Sequence, residues 1–240
     1  KSIGAEAFRG CTSLSDIVLP KGVGSLGSGC FRDCVGLGVS MSDLGFPASL
    51  TNVSSYCFSG CKGLKGEVEI PKEIKSMGFY AFYDCDGITQ VTIPVDFDYT
   101  SGTRPFEECS NVTKIRYTKG ETGEMPDTKV VSGGPNFQDD RLEYSVRNSL
   151  NEAEYEEGIT KIGANTYYWS YYVGKYSAAK LKKVTLPESL KSIGAEAFRG
   201  CTSLSDIVLP KGVGSLGQYT FYNDKGITHI SIPISACYSS

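Results

Sequence analysis

Residues 1–27, KSIGAEAFRGCTSLSDIVLPKGVGSLG, recur without a change at 191–217. A chain that carries one segment twice has to fold it twice, which points to a modular array before any single element is considered. A shorter and looser period runs between the copies. Its anchor is an aromatic residue followed three residues later by cysteine: Phe8/Cys11, Phe31/Cys34, Phe58/Cys61, Phe82/Cys85, Phe106/Cys109 and Phe198/Cys201, with Phe221 paired to Asp224 in the same slots. The anchors step by 23, 27, 24 and 24 residues, then by 23 from Phe198 to Phe221. A second marker is a strand-like run closed by proline: IVLP at 17–20 and 207–210, IP at 70–71 and 93–94, TLP at 185–187 and SIP at 231–233.

Aligned, the segments give one unit, L-x-x-I-x-I-P-x-x-L-x-x-I-G-x-x-A-F-x-x-C, shown most cleanly by 181–201. The middle of the chain keeps the register: Leu150, Ala153, Tyr155, Ile159, Ile162 and Tyr167 fall where Leu181, Val184, Leu186, Leu190, Ile193 and Phe198 stand. Residues 118–141 are rich in turn-formers and charges and read as a loop-rich insertion holding Phe137. With Phe137 and Tyr167 counted, nine anchors mark nine coils, and continuous repeats leave no place for a domain boundary, so 1–240 reads as a single domain.

The unit explains itself physically. L-x-x-I-x-I suits a short strand entered from a bend. Proline stops that strand, because it has no N–H for the next rung. L-x-x-I-G turns inward again, the glycine being expected to supply the backbone angles of a tight corner. A-F-x-x-C tucks a ring and a small thiol inside, too briefly for more than one helical turn. No coil buries its own edge, so the coils must stack, and stability becomes a sum over neighbouring pairs.

On these residues the chain resembles the BspA-type leucine-rich repeat family, well over 1–109 and 181–233 and poorly over 110–180. The resemblance implies a leucine-rich-repeat solenoid, a right-handed coil of short β-strands and turns. It also implies a secreted or surface-anchored protein used in adhesion and protein binding. The chain opens at Lys1 inside a repeat, without the strand that precedes the same residues at 181–190, and so reads as a piece of a longer array.

Composition narrows the function. A net charge of −3 and a pI near 5.4 give no footprint for nucleic acid. No apolar run approaches the roughly 18 residues of a membrane span. One histidine, His229, removes chemistry that needs a pair of them, and its register partners Asp16, Gln90, Lys114, Lys183 and Asp206 are all polar, which makes it a solvated strand residue. Gly22, Gly24 and Gly27 form a G-x-G-x-x-G after an apolar strand, but no amphipathic helix follows to hold a pyrophosphate. Nine cysteines without a C-x-x-C spacing give no zinc signal; two columns of them, one holding Cys30 and Cys57, read as buried free thiols filling the core. Glu152 and Glu154 alternate outward along a strand, where a carboxylate pair is ordinarily solvated. Asn52-Val-Ser54 and Asn111-Val-Thr113 are glycan acceptor patterns that matter only in a eukaryotic source.

The segment least explained by the repeat is 167–176, with six aromatic residues in ten, including the only tryptophan. Tyr167 fills an anchor slot. Tyr168, Trp169, Tyr171, Tyr172 and Tyr176 are candidate partner-binding residues, since tyrosine and tryptophan are enriched at binding hot spots. The alternative is a local mini-core over the neighbouring coils. Outward strand positions (Val18, Gly45, Glu69, Thr92, Arg116, Glu154, Thr185, Val208 and Ser231) share no charge sign and nominate no hot spot. The expectation is therefore a monomeric, non-enzymatic module without metal or cofactor, outside the cell, binding a surface protein or glycan of a host or neighbouring cell. The alternative is a spacer that presents another domain.

Overall fold

A computed structural model describes residues 1–40, 45–97, 104–127, 145–171 and 174–237, with 169–171, 174–177 and 237 described in backbone alone. The chain resolves into two compact units, one formed chiefly by Lys1–Ile93 and Phe97–Thr113, the other chiefly by Pro94–Asp96, Lys114–Gln138 and Arg147–Ser240.

In the first unit the I-G segments form a parallel row: β1 (Ser2–Ile3), β2 (Ser25–Leu26), β3 (Asn52–Val53) and β5 (Ser76–Met77), in register Ile3↔Leu26↔Val53↔Met77. The segments before proline form a second row, in which β4 (Gly66–Glu69) pairs in parallel with β6 (Ile88–Pro94) and Val68 faces Val91. In the second unit β7 (Lys114–Thr118), β8 (Glu152–Tyr155) and β12 (Lys183–Thr185) run parallel, with Ala153 between Ile115 and Val184. The row β9 (Lys161–Ile162), β13 (Ser192–Ile193) and β15 (Ser215–Leu216) lines up Ile162, Ile193 and Leu216, while β14 (Asp206–Val208) pairs with β16 (His229–Ser231). Among the described residues one pairing is antiparallel, the hairpin β10 (Tyr168–Tyr171) and β11 (Gly174–Ser177). Ile234–Cys237 form a single 3-10 turn.

The anchors stack ring on ring. Phe8, Phe31, Phe58, Phe82 and Phe106 follow one another at 5.2, 5.4, 5.2 and 5.0 Å between centroids, with interplanar angles of 13° or less. Tyr167, Phe198 and Phe221 do the same in the second unit at 5.2 and 5.4 Å. Phe31, Phe58, Phe82, Phe106, Tyr167 and Phe198 are fully buried. Phe137, the sixth of the nine expected anchors, and most of the insertion at 118–141 lie outside the described residues.

Proline does more than stop the strand. Its carbonyl closes the turn that follows by accepting the N–H three residues on: Val23 donates to Pro20, Leu50 to Pro47, Ile74 to Pro71, Leu190 to Pro187 and Val213 to Pro210, at 2.8–3.2 Å. Gly22 sits in such a turn at φ 91°, a conformation that side chains rarely adopt. The G-x-G-x-x-G pattern is thus turn chemistry.

The structure refines three expectations. The corner glycine is required by contact, not by its dihedral angles. Gly78 has no positive φ, but a Cβ there would lie 2.1 Å from the backbone nitrogen of Ser55 in the coil before. The A-F-x-x-C stretch, expected to allow one helical turn at most, forms turns with alternating backbone angles. The residues two before and two after the anchor take left-handed angles, as at Tyr56, Tyr80, Glu196 and Tyr219 before it and Asp33, Asp84 and Asn223 after it. This alternation aims every second N–H at the next coil: Phe31 donates to Cys57, Asp33 to Ser59, Phe58 to Ala81 and Phe198 to Thr220, all at 2.8–2.9 Å. The left-handed residues each cost roughly 1–2 kcal/mol, offset by a second backbone ladder that leaves few buried groups unpaired. Finally, Thr92 stands on the outward face between inward Val91 and Ile93, yet it is buried, and its hydroxyl donates to Glu67 on β4.

The two cysteine columns are free thiols in the core, with one exception. Cys30, Cys34, Cys57, Cys61, Cys85, Cys109 and Cys201 are buried and Cys11 is exposed. Cys11 belongs to the coil of Phe8, whose ring is itself 40% exposed.

Candidate binding surface

The side chains flanking each anchor lie outside the ring stack. Position two before the anchor carries Tyr56, Tyr80, Glu196 and Tyr219; position one after it carries Arg9, Arg32, Tyr83, Tyr168, Arg199 and Tyr222. These positions are three apart across a turn, so they meet on one ridge.

In the second unit the ridge is built on Arg199. Its guanidinium lies 4.4 Å from the centroid of Tyr168, 5.0 Å from that of Tyr222 and 6.0 Å from that of Tyr219. Glu196 holds it in place through an ion pair of 2.6 Å. The Tyr219 and Tyr222 rings meet edge to face at 5.4 Å and remain 50% and 47% exposed, while Tyr168 is buried beneath the guanidinium. Rings of this kind attract a cation through their faces and still offer edges and hydroxyls to a partner.

In the first unit the same positions form an aromatic terrace. Tyr56 meets Phe79 and Tyr80 edge to face, Phe79 and Tyr80 lie 3.8 Å apart, and Tyr80 meets Tyr83 at 4.8 Å. Arg32 caps the terrace, 5.1 Å from the Tyr56 centroid.

The hairpin selected from the sequence is placed in part. Trp169 and Tyr176 are register partners on β10 and β11, and Tyr171 pairs with Gly174. The side chains of Trp169, Tyr171 and Tyr176, and the whole of Tyr172, lie outside the described residues. Tyr168 is described, and it joins the hairpin to the Arg199 cluster. Tyr167 serves the core: its hydroxyl and that of Tyr155 are 2.8 Å apart. Sequence reasoning missed the ridge itself, although its signal was present in the fixed offsets of Tyr56, Tyr80, Tyr219 and Arg199 from their anchors.

The strand face of the second unit is charged but paired with itself. Lys114 contacts Glu154 at 2.7 Å and Glu152 at 3.9 Å, Lys183 contacts Glu152 at 2.9 Å, and Arg116 contacts Glu154 at 3.4 Å. The hydrogen bond from Lys114 holds the Glu154 carboxyl below its ordinary range. Glu152 and Glu154 are therefore rungs of an ion ladder rather than simply solvated groups.

Chemical groups elsewhere are dispersed. His229 is exposed on β16 opposite Asp206. Burial pushes the Cys30 thiol up to about 11 and the Cys61 thiol up to about 12, which keeps both protonated and poor nucleophiles. Among the described residues no group of three or more His, Cys, Asp or Glu is placed to hold a metal ion, and no helix is long and apolar enough to cross a membrane.

No curated protein matches the chain. Among solved structures it is similar to a leucine-rich repeat protein from Bacteroides ovatus, 22% identical over 98% of this chain and 77% of that one, with a TM-score of 0.35. It is also similar to the pneumococcal vaccine antigen PcpA, 22% identical over 98% of this chain and 54% of that one, with a TM-score of 0.39. A leucine-rich repeat protein from Eubacterium ventriosum is 15% identical over 97% of this chain and 82% of that one, with a TM-score of 0.45. The chain thus spans about half of PcpA. The model of the BspA type leucine rich repeat region matches residues 1–38, 37–123 and 170–239, in 6 copies. With parallel strand rows, a stacked anchor in every matched stretch and a family match over most of its length, this chain belongs to the BspA-type leucine-rich repeat family.

Proposed function

We propose that this chain is a non-catalytic binding module that works outside the cell and engages a protein or glycan on another surface through its turn ridge. The observation that carries the reading is the cluster in which Glu196 and Tyr168 fix Arg199 while Tyr219 and Tyr222 stay half exposed. Tyrosine and arginine, held rigid and partly open, are the residue types that dominate binding energy at interfaces. The self-paired strand face supports the same choice, because its charges are already neutralised by one another. In this reading Tyr168, Trp169, Tyr171, Tyr172 and Tyr176 belong to the same contact region. Residues 1–240 act as one repeat domain of about nine coils, monomeric and without a cofactor.

The test is a printed array of extracellular-matrix proteins and glycans, probed with the wild-type chain and with Tyr219→Ser and Tyr222→Ser combined. Binding to a printed target that the double variant loses at least tenfold, at an unchanged melting temperature, supports the reading. Absence of binding, or equal binding by the variant, overturns it; absence of binding would favour a spacer that presents another domain.

A further inference from the structure

Asp224 stands in the slot that cysteine fills in the other coils. In four of those coils the thiol makes the same bond. Cys34 donates to the carbonyl of Phe8, Cys61 to Phe31, Cys85 to Phe58 and Cys109 to Phe82, each at 3.0–3.1 Å. Every bond runs to the anchor of the coil before. By the same register Asp224 occupies the slot whose side chains reach the anchor carbonyl of the coil before, here that of Phe198, whose ring stacks on Phe221 at 5.4 Å. A carboxylate has no proton to give to a carbonyl; a carboxylic acid does.

The surroundings favour the acid. Both carboxyl oxygens are buried and neither has a hydrogen-bond partner in the structure. The nearby N–H groups of Cys201 and Gly200 already donate, to the carbonyls of Phe198 at 3.0 Å and of Tyr222 at 2.9 Å. From the preceding coil the titratable group that faces it is the Cys201 thiol, itself pushed up by burial and then by Asp224. On its own coil Lys225 is exposed, and His229 on the strand that follows is exposed as well; neither is paired with it. Burial lifts the Asp224 carboxyl from 3.8 to about 7, the two N–H groups opposing only in part.

We propose that Asp224 is a proton-dependent latch: as a neutral acid it donates to the Phe198 carbonyl and docks its coil on the one before, and ionisation loosens that coil. The acid is favoured in the folded chain, so its contribution is complete below the unfolded value near 3.8 and is lost as pH rises to about 7. Tyr219 and Tyr222 belong to the same coil, so the latch also controls the order of the rings around Arg199. The proposal does not require that these rings bind a partner, and its test uses none.

Carbon-13 titration of the aspartate carboxyls in the wild-type chain is the direct measurement. One carboxyl carbon, assigned to Asp224, titrates with a midpoint near neutrality, and its signal is missing from Asp224→Asn. Between pH 4 and 7 the opening of this coil becomes easier by up to about tenfold per pH unit in the wild type, whereas Asp224→Asn and Asp224→Cys stay flat. All aspartates titrating below about 5, or a pH dependence unchanged in the variants, would overturn the proposal. If Asp224→Asn does not fold, the wild-type titration and Asp224→Cys decide.

Discussion

The thiol of Cys61 donates to the carbonyl oxygen of Phe31, one coil earlier, over 3.0 Å. The same oxygen accepts the backbone N–H of Cys34 at 3.2 Å, so it closes the turn of its own coil and ties down the next one. Cysteine suits this slot because it is small, apolar in bulk and still carries a weak donor. Cys61→Ala removes the bond and the packed sulfur without leaving the carbonyl unpaired. It should cost about 1–2 kcal/mol, read as a lower urea midpoint at an unchanged slope. Cys11→Ala, at the exposed member of the column, should shift stability by less than about 0.5 kcal/mol. Equal effects at the two positions would deny the thiols their role.

The corner glycines give a sharper contrast. A methyl group on Gly78 would meet the backbone of Ser55 at 2.1 Å, whereas one on Gly4 meets nothing within 4 Å. Backbone does not yield as a flexible side chain does, so Gly78→Ala should destabilise by about 2–3 kcal/mol and Gly4→Ala should be neutral. Thermal unfolding of the two variants beside the wild type decides. A Gly78→Ala protein as stable as wild type would show that the coils do not approach so closely.

The ion ladder on the strand face sets a pH dependence of opposite sign to the Asp224 latch. Glu154 is held below its ordinary 4.5, first by the hydrogen bond from Lys114. A lowered carboxyl stabilises the fold above its unfolded value, and that contribution is lost as pH falls through the folded value. The wild type should therefore lose stability relative to Glu154→Gln as pH drops below about 4.5, followed by denaturant midpoints from pH 6 to 3. Parallel curves would mean that the rungs contribute nothing measurable, as many exposed pairs do.

Much of this architecture was legible in the sequence because a repeat states each of its rules several times. The stack of Phe31, Phe58 and Phe82, the pairing of Ala153 with Val184 and of Ile162 with Ile193, and the burial of Cys57 all follow from positions that recur. What escaped was geometry that residue identity does not announce. Tyr56 and Glu196 share a left-handed backbone although neither is glycine, because the ladder to the next coil imposes it. Thr92 stands on the outward face and is nonetheless buried, its hydroxyl bonded to Glu67 of the neighbouring strand; alternation gives the face but not the exposure. The Arg199 cluster joins residues that lie far apart in sequence, Tyr168 and Tyr222, and only coil stacking brings them together. The hairpin drew notice by its composition, while the ridge beside it was spread one residue at a time over several repeats.

The account rests on coils joined by backbone hydrogen bonds on the turn side as well as through their strands. Hydrogen exchange at the amides of Phe31, Phe58 and Phe198, which donate to Cys57, Ala81 and Thr220 in the next coil, tests this most directly. The account predicts protection on the order of a thousandfold or more over an unstructured peptide, as for core amides; exchange within about tenfold of the peptide rate at these three positions would contradict it.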